Sequence, residues 1–277
     1  MSSHVKFIFV VKSHILSFVF IVIAGQFVNA QKFSLGVKAG PLLTTSSYGN
    51  RVSNSDFDPT IKFGYYGAGI VSFPLKDNYD CVIEGGFSRK TRELLISDGN
   101  IRNSAHNNFF DGVLLLRKSF RMNIAPNIPG NWFVDIGPHI SYWMGGKGTI
   151  GSVDSEGKPY NIVFSDTFDI GDFNSMFLIN ANRWLFGLDI GVGFNAPITQ
   201  RARLLTELRF TWGHTFYGRR DSEVYYSWVE FEDSLLANER ILALTISYIW
   251  DVDLQARKKG HSSKDKEVHR KPVKKRR

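Results

Sequence analysis

The segment Trp184–Tyr217, WLFGLDIGVGFNAPITQRARLLTELRFTWGHTFY, constrains the fold most, because it is a hairpin whose two arms both alternate with a period of two. In the first arm Trp184, Phe186, Leu188, Ile190, Val192 and Phe194 share one face, and Gly187, Asp189, Gly191, Gly193 and Asn195 share the other. In the second, Ala202, Leu204, Leu208, Phe210 and Trp212 oppose Arg203, Glu207, Arg209, Thr211 and Gly213, with Leu205 and Thr206 blurring the pattern. Large apolar side chains opposite charge and glycine suit a sheet on a soluble core, and equally a wall with lipid outside and a polar lumen inside.

The spacing of similar segments decides between these. Alternation predicts strands over Phe33–Ala39, Ile61–Phe73, Tyr79 to about Leu95, about Asn108 to Phe120, Trp132–Tyr142, the two hairpin arms, and about Glu239 to Trp250. Between them lie a polar loop from Thr44 to Pro59, a tight turn at Pro74–Asn78, a loop at Ser97–Asn103 and a Pro- and Gly-bearing break at Asn123–Asn131. The longest connection runs from Gly145 to about Arg183 without a consistent apolar face, and the last from Gly218 to Ala237. Short and long connections alternate, which places the long ones together at one end, as in outer-membrane barrels. The expected fold is therefore all-β, an eight-stranded antiparallel up-and-down transmembrane β-barrel, small enough for side chains to fill its interior. Threaded this way, Phe33, Phe73, Tyr79, Phe120, Trp132, Phe194 and Trp250 gather near one boundary. Phe63, Phe110, Tyr142, Trp184, Phe210 and Trp212 gather near the other, as two lipid interfaces require.

The two ends of the chain are different in kind. Lys6 and Lys12, the apolar run Ile15–Ala24 and Val28-Asn29-Ala30 predict a secretory signal peptide over residues 1–30, with the barrel over 31–254. The lone Cys81 forms no internal disulfide, and no cysteine stands near the cleavage point for lipid attachment. The net charge of +8 divides unevenly: the leader holds two lysines, and residues 255–277 hold eleven basic against two acidic residues, which leaves about −3 for the body. That tail, including Arg257, Lys258, Lys259, Lys274, Lys275, Arg276 and Arg277, is expected to be disordered. It is a candidate contact for an anionic envelope surface or for an acidic surface of a periplasmic protein. An even strand number puts both termini in the periplasm, and a secreted chain has no nucleic-acid partner.

Inward in this threading point Lys38, Glu84, Arg117, Asp135, Asp189, Arg203, Glu207 and Arg209, four acids and four bases placed to pair across a lumen. They are read as a salt-bridged plug, or alternatively as the lining of a narrow polar pathway. Arg89 and Lys118 fall on the apolar side and belong near strand ends, where long side chains reach headgroups. His106, His139 and His214 are the body's candidate general bases, but no local spacing supports a His–Ser hydrolase. No metal-ligand spacing appears and no cofactor is expected; loop turns account for Asp154–Gly157 and Asp169–Asp172 better than calcium does.

The stretches SLGVKAG, VIEGGFSRK, VLLLRKSF, WFVDIGPHISY, WLFGLDIGVGF and LLTELRFTWG, taken in order over about Phe33 to Trp250, resemble the PorT-like outer-membrane β-barrel family of Bacteroidetes-type bacteria. By position, Glu84, Arg117, Glu207 and Arg209 look like that family's inward charges, whereas Val113 stands where the family pattern has proline. The resemblance implies an eight-stranded barrel in outer-membrane lipid and, for the PorT branch, an accessory role in type IX secretion, with the tail as a contact for periplasmic secretion-machinery proteins. A non-enzymatic structural or accessory protein is the first expectation, a narrow porin the second and a barrel lipid-modifying enzyme the third.

Overall fold

The computed structural model describes residues 32–48, 57–96, 101–125, 128–152, 157–165, 167, 172–226 and 235–253. The predicted signal peptide and the basic tail lie outside the described residues. Ser34–Asp251 form one compact unit.

Eight strands close into a ring: β1 (Lys32–Tyr48), β3 (Lys62–Pro74), β4 (Tyr79–Ile96), β5 (Ile101–Ala125), β6 (Ile128–Ser152), β9 (Trp184–Pro197), β10 (Ala202–Gly213) and β12 (Ala237–Asp253). The β1–β12 and β6–β9 pairings close the circuit, and the registers are antiparallel throughout. Alternation is what makes this possible, because one face of each strand must meet the lumen while the other meets the surroundings. On β10 the blurred stretch resolves: Leu205 turns inward and is buried, and Thr206 turns outward. The outer wall is apolar and exposed, as at Val37 (59%), Leu208, Ile190 and Ile246, which is the surface a hydrocarbon solvent demands.

Two rows of rings bound this band. Register places Phe120, Trp132 and Phe194 side by side near one end, with the first two stacked at 4.2 Å. Phe87, Phe110, Tyr142 and Trp184 form a row near the other, where Tyr142 and Trp184 lie 4.8 Å apart. From Trp132 to Tyr142 is a run of roughly eleven residues, the length a tilted strand needs to cross a bilayer core.

One end of the barrel carries tight connections. At the β3–β4 turn Asp77 and Asn78 take φ of 58° and 63°, the left-handed region that Asp and Asn tolerate best among residues with a Cβ. Lys118, on the outer wall here, donates to the Asp77 carbonyl at 2.8 Å and covers the Tyr79 ring, so its charge sits at the strand end.

The other end is more structured than expected from sequence. β5 and β6 have 25 residues each, about 80 Å of strand, so the hairpin runs far past the ring row. The break expected at Asn123–Asn131 is strand on both sides, up to Ala125 and from Ile128. The long connections expected to be loops hold β2 (Phe57–Pro59) against β4, β7 (Lys158–Phe164) against β6, β8 (Ser175–Ala181) parallel to β7, and β11 (Gly218–Tyr226) against β8. Pairing with an already ordered hairpin recruits these segments, whose own alternation is weak. They close over an apolar group that includes Tyr48, Phe109, Trp143, Tyr160, Met176, Leu178, Tyr217 and Leu235.

Close strand approach demands glycine at Gly137, where a Cβ would come within 1.9 Å of the Leu114 carbonyl oxygen; outward Gly85 has open space. Gly137→Val is expected to abolish the folded, heat-modifiable band on unboiled gels, and Gly85→Val to retain it.

Candidate functional site

Along β10 the inward side chains run from the tight-turn end as Arg203, Leu205, Glu207, Arg209 and Thr211, and the lumen follows the same order. Arg203 stays at the rim, where it donates to Asp251 at 2.8 Å and to Ser34 at 3.0 Å. Above it, Val82, Leu115, Phe133, Leu205 and Ile249 belong to one buried apolar group.

The seven other predicted charges meet in one buried network. Lys38 from β1 donates to Glu84 at 2.6 Å and Glu207 at 2.9 Å. Arg117 from β5 forms a two-pronged pair with Asp135 of β6, at 2.8 and 2.7 Å, lies over the Phe133 ring and reaches Glu207 at 3.3 Å. Arg209 donates twice to Glu84 at 2.8 Å, to Glu207 at 2.5 Å and to Asp189 of β9 at 3.4 Å. The Tyr66 hydroxyl adds a bond to Glu84 at 3.2 Å. Planar guanidinium groups matched to carboxylates satisfy several acceptors at once, which buried carboxylates require.

Sequence reasoning stopped short of a second cluster that continues the first. Asp189 also meets His139 Nδ1 at 3.1 Å. On the other side of the ring, His139 Nε2 lies 2.8 Å from Ser141 Oγ and 3.3 Å from Asp111, and Ser141 donates to Asp111 at 2.5 Å. Lys90 bonds Glu239 at 2.8 Å and Ser141 at 3.2 Å, and Tyr217 donates to Glu239. Lys90 shares its strand face with Glu84, and Asp111 shares one with Arg117. The signal was therefore the same alternation, carried a few residues further toward the long-connection end.

Taken together, Lys38, Lys90, Arg117 and Arg209 face Glu84, Asp111, Asp135, Asp189, Glu207 and Glu239, four basic side chains against six carboxyl groups. Arg92, over the rings of Tyr48 and Tyr217, stands at the far end of this series. Both ring nitrogens of His139 approach carboxylates, an arrangement that an imidazolium satisfies by donating from each.

Ser141, His139 and Asp189 thus have the spacing of a Ser–His–Asp triad, which no local sequence pattern disclosed. The chemistry differs from that of a nucleophile. The Ser141 proton is directed at Asp111, Lys90 occupies the oxygen from another side, and both Ser141 and His139 are buried. The adjoining cavity, lined by Tyr66, Lys90, Asp111, His139, Asp189 and Arg209 among others, is about 20 Å³, room for a water but not for an acyl chain.

His106 bonds Thr91 at 3.0 Å on the wall beyond the ring row, and exposed His214 follows β10, so neither joins the cluster. Asp172 accepts the Asn174 amide at 2.9 Å in a local turn; most of the other predicted acidic-turn residues lie outside the described residues. Among the described residues no group of three or more His, Cys, Asp or Glu side chains is arranged to hold a metal.

Residues 29–215 match the family model described as outer membrane protein beta-barrel domain. The chain is similar in fold to Neisserial surface protein A (10% identity, 79% of this chain and 96% of that one, TM-score 0.39). It is likewise similar to OprG from Pseudomonas aeruginosa (11%, 79% and 95%, TM-score 0.41) and to a major outer membrane protein from Thermus thermophilus (11%, 80% and 98%, TM-score 0.40). A comparison with curated protein sequences gives no match.

Removing one member of the ionic series strands its partners without solvent. Arg209→Leu is expected to cost about 3–5 kcal/mol of folding stability, and His139→Leu a comparable amount. Surface Arg203→Leu should cost under about 1 kcal/mol. Urea titration of the three variants in lipid vesicles, read against wild type, checks the order.

Proposed function

Because the chain belongs to the outer membrane protein beta-barrel domain family, we propose that it is a closed, non-enzymatic barrel that serves the outer membrane as a structural or accessory component. One observation carries this reading: the lumen is filled from rim to cap by the apolar group around Phe133, the continuous ionic series and the aromatic group around Trp143. A hydrated ion would have to separate several buried pairs to pass, so the reading favours a plug over a porin. The same commitment of Ser141 to Asp111 argues against the lipid-modifying alternative.

In the orientation usual for such barrels, tight turns face the periplasm and the β5–β6 extension stands outside the cell. The termini, including residues 255–277, then lie in the periplasm, where eleven basic residues suit an anionic envelope surface or an acidic protein face. The resemblance to PorT-like stretches directs the accessory role toward protein secretion.

The purified full chain is expected to give no discrete conductance in planar bilayers; steps altered by Arg209→Ala or Glu207→Ala would instead establish the porin reading. A strain lacking the protein is expected to secrete fewer proteins, and a chain ending at Asp253 to restore the barrel without restoring secretion. Normal secretion in the deletion strain removes the secretion role and leaves the structural one.

A further inference from the structure

The outer wall just past the row Phe87, Phe110, Tyr142 and Trp184 carries a charge pattern that the lumen does not use. Register places Arg89 beside Asn108 at the next outward step, and Thr91, His106 and Lys147 beside one another at the step after. On the opposite wall Arg240 pairs in register with Trp212, and His214 follows at the end of β10. Arg183 lies 4.6 Å over the Tyr142 ring. Among the described residues, Arg89, Lys147 and Arg240 form no ion pair, and the nearby carboxylate of Glu93 is joined to Lys62 at 2.8 Å. The His106 pKa is lowered, first by burial and then by the Arg89 cation.

A belt of rings fixes where the hydrocarbon ends. One to two outward steps beyond it span about 7–13 Å of strand, roughly 5–10 Å along the normal for a tilted strand, the depth at which headgroups lie. Cations placed at the belt (Arg183, Arg240) and one or two steps beyond it (Arg89, His106, Lys147), on both sides of a barrel whose body is otherwise slightly acidic, have a natural counter-ion in lipid phosphate. We propose that Arg89, Lys147 and Arg240, with His106 and Arg183, form a collar that binds lipids whose headgroup phosphate carries an uncompensated negative charge. The collar rests on the membrane reading of the barrel, and the orientation above assigns it to the outer leaflet.

The test is a lipid competition that depends on neither orientation nor the state of the lumen. Full-length protein in mild detergent is offered an equimolar mixture of phosphatidylcholine and monophosphoryl lipid A, and retained lipid is counted by native mass spectrometry. Monophosphoryl lipid A, whose phosphate charge no choline offsets, should be retained in excess, and excess inorganic phosphate should not displace it. Lys147→Gln, at an exposed position, should lower that preference roughly five-fold, and Arg89→Gln with Lys147→Gln further, with folded protein verified on an unboiled gel. Equal retention of the two lipids by the wild type overturns the collar, as does an undiminished preference in Lys147→Gln. Displacement by inorganic phosphate would show a free-anion site and also overturns it. Loss of the secretion phenotype or the appearance of conductance would bear on the proposed function and leave this result untouched.

Discussion

A carboxylate inside a wall of hydrocarbon has no water to turn to, so every acid in this lumen must be met by a cation or a hydroxyl from another strand. That constraint organises the molecule. Glu84, Glu207 and Asp189 lie on β4, β10 and β9, and their partners Lys38, Arg117, Arg209 and His139 come from β1, β5, β10 and β6. The pairs therefore tie together strands from around the ring, and a slip of one residue on any of them would send its charge into lipid. The network makes register specific, whatever its net contribution to stability.

The same chemistry fills the interior. Side chains of charged and apolar groups interdigitate there, and the cavity beside His139 and Arg209 is about 20 Å³, the size of a water. Its surface then carries the informative variation: an apolar band, ring rows at its borders, bases beyond one of them, and a strand-built extension closing over Trp143 and Tyr217. In the last, a single long hairpin, β5–β6, offers the edge on which β7, β8 and β11 assemble.

Alternation made the eight barrel strands readable, and even the tight turn at Pro74–Asn78, because a period of two survives wherever one face meets lipid. It failed where no such face exists. Beyond the ring row both sides of β5 and β6 meet water or other strands, so residues such as Asn103, Asn107 and Gly148 carry no contrast, and the segments they pair with read as loops. The candidate site divides in the same way. Glu84, Arg117, Glu207 and Arg209 follow from parity within their strands, whereas Lys90, Asp111 and Glu239 obey the same parity in three of the predicted strands and are joined to the network only by the closed ring.

From its residues alone the chain determined which face of most ribbons turns outward, Ile61–Phe73 with two apolar or small faces excepted, since transfer of apolar area away from water depends on composition and period rather than on neighbours. Which acid holds which base was decided only by closure. Arg117 could have reached several carboxylates by parity, but strand order and stagger bring it to Asp135 and Glu207; the proximity of Ser141, His139 and Asp111 likewise arises from the β5–β6 register. Pairing needs atoms within about 3 Å, and distances of that kind between remote segments exist only once the ring is shut.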